Sequence, residues 1–287
     1  MNWSQRRTRF RAMIEAGNCV HPGSVYDPLS ARAAEDLGFE TGMFAGSIAS
    51  LTVLGAPDII VVTLSEFASQ ILRICRAGEL PLIVDADHGY GNAMNVKRTV
   101  EELETAGVSA LTIEDTLLPR AFGETGTQLT SVHEGVGKMK AALAGRQDPG
   151  VFILGRTSAV SISGVDDAIA RASAYLDVGV DGIMFVGVKT KQEIEAVGRA
   201  IDAPIMLGGV PEALQDRAHL RSCGVRICLQ GHQPFMAAMQ AMYRTLKALR
   251  DGVPPSQLEG LPAAELVRQL TRDADYEGEM REFLDGS

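Results

Sequence analysis

Short, almost wholly apolar runs alternate along the chain with longer stretches whose apolar positions recur at helical spacing. That alternation predicts βα units and a parallel sheet, because a strand covered on both faces reads as a continuous apolar run. Strands are predicted at 19–21, 41–45, 82–85, 110–115, 151–156, 182–186, 204–208 and 225–230. Helices are predicted between them, at 28–38, 95–106, 165–178 and 191–201, with a long one at 234–250 after the last strand. Asp27 before Pro28 suits an N-cap followed by proline in the first helical position. Gly107-Val108, Gly179-Val180 and Gly224-Val225 repeat one helix-to-strand phrase, a C-cap glycine feeding a strand. Eight such units in 287 residues predict an α/β fold of the (β/α)8 barrel type. A doubly wound open sheet is the alternative, and it would more often carry a glycine-rich nucleotide loop after its first strand; none is seen. One catalytic domain is read over 1–287, with 254–287, opened by Pro254-Pro255, as a C-terminal helical appendage.

Composition narrows the setting. Hydrophobic residues make up 46% of the chain, enough for a large core, yet no apolar run approaches a membrane span. The Arg6-Arg7-Thr8-Arg9-Phe10-Arg11 cluster runs into 13–17 and is read as a surface amphipathic helix, not a targeting peptide. A net charge of −9 argues against nucleic acid or an anionic membrane as partner. The four cysteines show no CxxC and no zinc spacing, which points to free thiols in a reduced, cytoplasmic compartment.

The chemistry concentrates in Asp85-Ala86-Asp87-His88-Gly89-Tyr90-Gly91-Asn92. Strand alternation would turn Asp85 and Asp87 to one side, where two like charges call for a cation. In a barrel the catalytic groups gather at the C-terminal strand ends. Those positions here are Ser47, Asp85, Asp87, Glu114, Arg156 and His232, with Asp58 reaching the same mouth from its loop. Each has a plainer account: a helix N-cap for Ser47, a solvated pair for Glu114 and Asp115, an internal ion pair for Arg156, a structural histidine for His232. Together, an excess of carboxylates with one cation and one imidazole fits an oxygen-liganded Mg2+ or Mn2+ site.

The chain resembles the phosphoenolpyruvate mutase/isocitrate lyase superfamily over nearly its full length. The phrases that carry the resemblance run from Ser24 to Ala31, Gly46-Ser47, Asp85 to Asn92, Thr112-Ile113-Glu114-Asp115 and Gly155-Arg156-Thr157. It implies a barrel whose last helix is exchanged between subunits, a homotetramer built as a dimer of dimers, Mg2+, and a small α-keto acid or its enol as ligand. In the lyases of this superfamily the loop after the Glu114 position carries a Cys-Gly-His phrase. Here the loop runs from Leu117 to Thr127 without cysteine, and the lysine and asparagine of the phosphonate enzymes are also missing. The resemblance then points to the oxaloacetate decarboxylase branch, although Ser158 stands where asparagine is common and 208–211 lacks a tyrosine expected near the pocket.

On this reading Mg2+, with Mn2+ as the alternative, is held directly by Asp85 and through water by Asp58, Asp87 and Glu114. Arg156 pairs with a substrate carboxylate, Gly46 and Ser47 bind the C1 carboxylate, and His232 hydrogen-bonds the keto oxygen or C1 carboxylate. The expected reaction is decarboxylation of oxaloacetate to pyruvate. The rival readings are a C–C lyase or hydrolase of a related 2-hydroxy or 2-oxo dicarboxylate (2-methylisocitrate lyase-like), phosphonopyruvate chemistry, and a non-catalytic sensor of oxalate-like dicarboxylates.

Overall fold

The computed structural model describes residues 2–284. Internal contacts divide the chain into two units, 1–231 and 232–287.

The first unit holds all eight strands: β1 Gly23–Ser24, β2 Gly42–Phe44, β3 Leu82–Asp85, β4 Ala110–Glu114, β5 Phe152–Thr157, β6 Gly182–Phe185, β7 Ile205–Leu207 and β8 Val225–Cys228. They pair in sequence order, every neighbour parallel. A parallel bridge from Val20 to Ile227 joins the first and last strand regions and closes the barrel. The first predicted strand, 19–21, is therefore split: Val20 bonds β8, Gly23–Ser24 bonds β2, and Pro22, with no N–H to give, lies between. β2, β3, β4, β6 and β7 are buried at every position, which explains their unbroken apolar runs.

The helices of this unit are α1 Trp3–Glu15, α2 Pro28–Asp36, α3 Gly46–Ala49, α4 Leu64–Cys75, α5 Ala93–Ala106, α6 Val132–Gly145, α7 Ala159–Ile162, α8 Val165–Leu176, α9 Lys191–Ala200 and α10 Arg217–Ser222. Asp27 caps α2 as predicted, accepting from the Ser30 N–H at 2.7 Å in a reciprocal box. α4 and α6 were not anticipated from apolar spacing.

The first helix is amphipathic and lies at the surface, with Ser4, Gln5, Thr8, Arg9, Ala12 and Glu15 exposed, but two of its arginines face inward. Arg6, Arg7, Phe10 and Ile14 of α1 are all buried. Phe10 meets Phe152 edge to face at 5.6 Å. The arginines enter the interior because backbone carbonyls at and just beyond helix ends accept from them. Arg6 donates to the Cys75 carbonyl at the end of α4, and Arg7 to Glu104 O in the last turn of α5 at 2.6 Å and to Val108 O at 3.0 Å. Arg11 reaches Gly150 O at 3.0 Å and the Asp181 carboxylate at 2.9 Å.

The second unit contains α11 Gln233–Arg250, α12 Ala264–Thr271 and α13 Asp273–Leu284, with the double proline between α11 and α12. None of the three buries a residue. Met236, Met239, Met242, Tyr243, Leu246 and Leu249 of α11 are exposed. No helix among the described residues is long and apolar enough to cross a membrane.

Candidate active site

Strand register assembles the site. β3 and β4 pair Asp85 with Thr112, and β4 and β5 pair Glu114 with Arg156. Each backbone pairing is matched by a side-chain contact. Thr112 Oγ1 donates to Asp85 Oδ1 at 2.8 Å, and Arg156 Nη2 lies 3.2 Å from Glu114 Oε2. Arg156 Nη1 donates to Asp85 Oδ2, so one guanidinium spans both carboxylates. Thr116 Oγ1 adds a bond to Glu114 Oε2 at 2.8 Å.

Asp87 arrives differently from the strand-alternation argument. β3 ends at Asp85, and Asp87 has φ 48°, a left-handed turn residue, so it does not continue the alternation. It nevertheless joins the cluster: its N–H donates to Asp85 Oδ1 at 3.2 Å. Its carboxylate packs on Gly46, where a Cβ would stand only 2.5 Å from one oxygen and 2.7 Å from the other. A side chain at 46 would displace the carboxylate from this position. Ser47 follows it, half-buried, in the first turn of α3.

A cavity of about 570 Å3 opens over these groups. Asp58, Asp87, Glu114 and Arg156 line it together with Ile59, Ile60 and part of the loop after β4, including Leu117, Pro119, Arg120 and Thr127. That loop is closed at its base by an antiparallel bridge between Thr116 and Leu129 and a 2.8 Å bond from Leu117 N–H to Gln128 O. Asp85, Asp87, Glu114 and Arg156 are therefore brought together, with Asp58 on the same cavity. His232 is the residue immediately before α11 and the first of the second unit.

Negative charge exceeds what the protein supplies in return. Burial raises the Asp87 carboxyl well above the usual range, and repulsion from Asp85 and Glu114 raises it further against Arg156. Glu114 is also raised, first by burial, with Arg156 pulling the other way. Partial desolvation and then Asp85 push up Asp58. Burial opposes charge on Arg156, but Asp85, Glu114 and Asp87 outweigh it and hold the guanidinium more firmly protonated. Arg156 Nε is buried without a hydrogen-bond partner, a donor left for something outside the chain.

This donor set fits a hard divalent cation. It is all oxygen and under-neutralised. Among the described residues no three His, Cys, Asp or Glu side chains form a ready-made cage.

Spacing did not reveal the supports. Asp115 is fully buried, with its Oδ2 bonded by Tyr175 at 2.7 Å and Arg171 at 3.1 Å. Its N–H bonds Arg156 O at 3.2 Å, tying this network to the strand that carries the arginine. The signal was present as a second acid after Glu114, but partners fifty or more positions away are not visible in spacing.

Residues 10–250 match the family model described as Phosphoenolpyruvate phosphomutase. The chain is 56% identical over 285 residues to a protein of Bradyrhizobium sp. strain BTAi1 named oxaloacetate decarboxylase, covering 99% of each. A solved oxaloacetate acetylhydrolase in complex with the inhibitor 3,3-difluorooxalacetate is 26% identical, with a TM-score of 0.85 and 96% of each chain covered. A phosphonopyruvate hydrolase solved with oxalate and Mg++ is 28% identical, with a TM-score of 0.84, covering 97% of this chain and 99% of that one. With its barrel, its strand-end acids and a match over most of its length, this chain belongs to the phosphoenolpyruvate phosphomutase family.

Proposed function

We propose that the protein is a Mg2+-dependent carbon–carbon lyase that decarboxylates oxaloacetate to pyruvate and CO2. The observation that carries this reading is the 56% identity, over 99% of both chains, to a protein named oxaloacetate decarboxylase. The site supports it: an acid cluster short of positive charge, a buried arginine with an unused donor, and a loop over the cavity without cysteine. The last point disfavours the lyase alternative, whose chemistry uses a protein acid there.

Asp85 is the direct metal ligand on this reading, and Asp58, Asp87 and Glu114 hold its waters. A divalent cation held there would supply Lewis acidity for the negative charge that develops as the C3–C4 bond breaks. The electron pair of that bond stays on C3, and a proton from solvent replaces the lost carboxylate. Asp85 and Glu114 fix the plane of the Arg156 guanidinium, leaving Nε to orient a substrate carboxylate. Gly46 admits the Asp87 carboxylate and, with Ser47, receives the C1 carboxylate. His232 donates to the keto oxygen or C1 carboxylate, where negative charge develops. Ile59, Ile60, Leu117 and Leu118 give the cavity apolar lining, and that lowers the cost of discharging a carboxylate as neutral CO2. The whole chain, 1–287, serves as one catalytic domain of a cytoplasmic homotetramer. The exposed apolar residues of 254–287, among them Leu266, Val267, Tyr276 and Phe283, support a helical appendage exchanged between subunits.

The test is pyruvate formation from oxaloacetate with Mg2+, against the metal alone, EDTA and Asp85→Ala. Protein-dependent turnover lost in Asp85→Ala supports both reaction and metal site. Turnover no faster than the metal blank would reject the decarboxylase reading.

A further inference from the structure

The acid-bearing loop after β3 has an unfavourable backbone. Asp87, Gly89, Tyr90 and Gly91 all have positive φ, at 48°, 78°, 60° and 148°. Two of these residues carry side chains, and such conformations persist only where the surroundings over-determine them. Here three successive carbonyls are each taken by a donor. Asp87 O accepts the Glu114 N–H at 2.8 Å, His88 O accepts Lys138 Nζ at 2.9 Å, and Gly89 O accepts Thr99 Oγ1 at 3.0 Å.

The first donor is backbone and comes with β4. The other two are side chains, buried to 2% exposure for Lys138 and 0% for Thr99, reaching in from α6 and α5. Neither lines the cavity. A buried ammonium bonded to a neutral carbonyl is costly. Burial lowers the Lys138 pKa, while Glu134, Glu114 and Asp115 act to keep it charged. The acid cluster and the lysine thus support each other.

We propose that Lys138 and Thr99 are positioning residues that clamp the loop and so fix the Asp87 carboxylate for metal and substrate. The assignment rests on the metal-site reading above, but the clamp is a property of the loop itself. Three variants separate geometry from bulk. Thr99→Val keeps shape and removes the hydroxyl donor, Thr99→Ser keeps the donor, and Lys138→Met keeps length without charge.

The first readout is amide hydrogen exchange at 87–91 in EDTA-treated protein. Thr99→Val and Lys138→Met are expected to speed it about tenfold, the loss of one hydrogen bond, while Thr99→Ser stays near wild type. The second is Mn2+ affinity by calorimetry, expected to weaken about 10-fold or more in the same two variants, with kcat falling more than KM changes. Unchanged exchange in Thr99→Val overturns the clamp, and so does Thr99→Ser behaving like Thr99→Val. If Lys138→Met does not fold, the threonine pair still decides. If wild-type protein binds no Mn2+, the metal reading fails, while the exchange experiment still tests the clamp.

Discussion

Gly46→Ala separates stability from activity at a single atom. The added Cβ would lie 2.5 Å from an Asp87 carboxylate oxygen, about 0.9 Å inside ordinary van der Waals contact. Gly46 opens α3 and its own backbone lies outside the left-handed region, so alanine is locally acceptable there. Helix propensity would even favour alanine by up to about 1 kcal/mol. The strain falls on Asp87, whose loop backbone is held by Glu114, so its side chain must swing away. Moving a reacting or liganding group by about 1 Å costs on the order of 100-fold in rate, roughly 2.7 kcal/mol at the transition state. The expected result is a kcat/KM for oxaloacetate about 100-fold down with Tm within about 3 °C of wild type. The assay is the initial rate of pyruvate formation, corrected for the metal blank, beside a thermal melt. Wild-type kcat/KM, or an activity loss that only tracks a falling Tm, would refute the reasoning.

Other expectations follow from the same contacts. Asp87, Glu114 and Asp58 hold protons more tightly folded than unfolded. Their contribution to stability is full below about pH 4 and is lost as pH rises through the raised values. Mg2+ relieves that repulsion, so the Tm gained on adding Mg2+ to EDTA-treated protein should grow as pH rises through the raised values; a gain independent of pH would contradict it. Tyr175→Phe removes a 2.7 Å bond to buried Asp115, whose other oxygen already lacks a partner. The loss should be about 1.5–3 kcal/mol by urea unfolding, and a change under about 0.5 kcal/mol would mean that Asp115 does not depend on the tyrosine. Arg7→Met removes the donor to the Val108 carbonyl, one of two donors to the Glu104 carbonyl and the 2.7 Å ion pair with Asp148. It should destabilise by about 2–4 kcal/mol in the same assay with kcat unchanged at low temperature; a much lower kcat would tie α1 to the site.

The barrel was legible because its strands are buried on both faces and so stand out as apolar runs. α4 and α6 escaped the search for apolar spacing, yet Thr63 with Glu66 and Ser131 with Glu134 spell out their starts, and both pairs form caps in the structure. Asp85, Glu114 and Arg156 were legible because strand ends place them. Asp87 was found for an incomplete reason, since a left-handed turn, not strand alternation, carries it. The Arg6 and Arg7 cluster misled because charge usually marks a surface, and the carbonyls that justify their burial belong to helix ends far along the chain. The roles of Lys138 and Thr99 were invisible for the same reason: their partners are loop carbonyls, and backbone acceptors leave no mark in a sequence.

The arginines of α1 also set an order of events during synthesis. This helix leaves the ribosome before the strands it packs on, and its acceptors lie at Cys75, Glu104, Val108, Asp148, Gly150 and Asp181. Arg11 has no backbone acceptor until the chain has grown through Pro149, Gly150 and Val151, and its ion pair waits for Asp181. Docking of this segment thereby waits for the stretch that leads into β5. The N-terminal helix works as a late fastener, and nascent chains cut short within the barrel would leave it exposed to proteases.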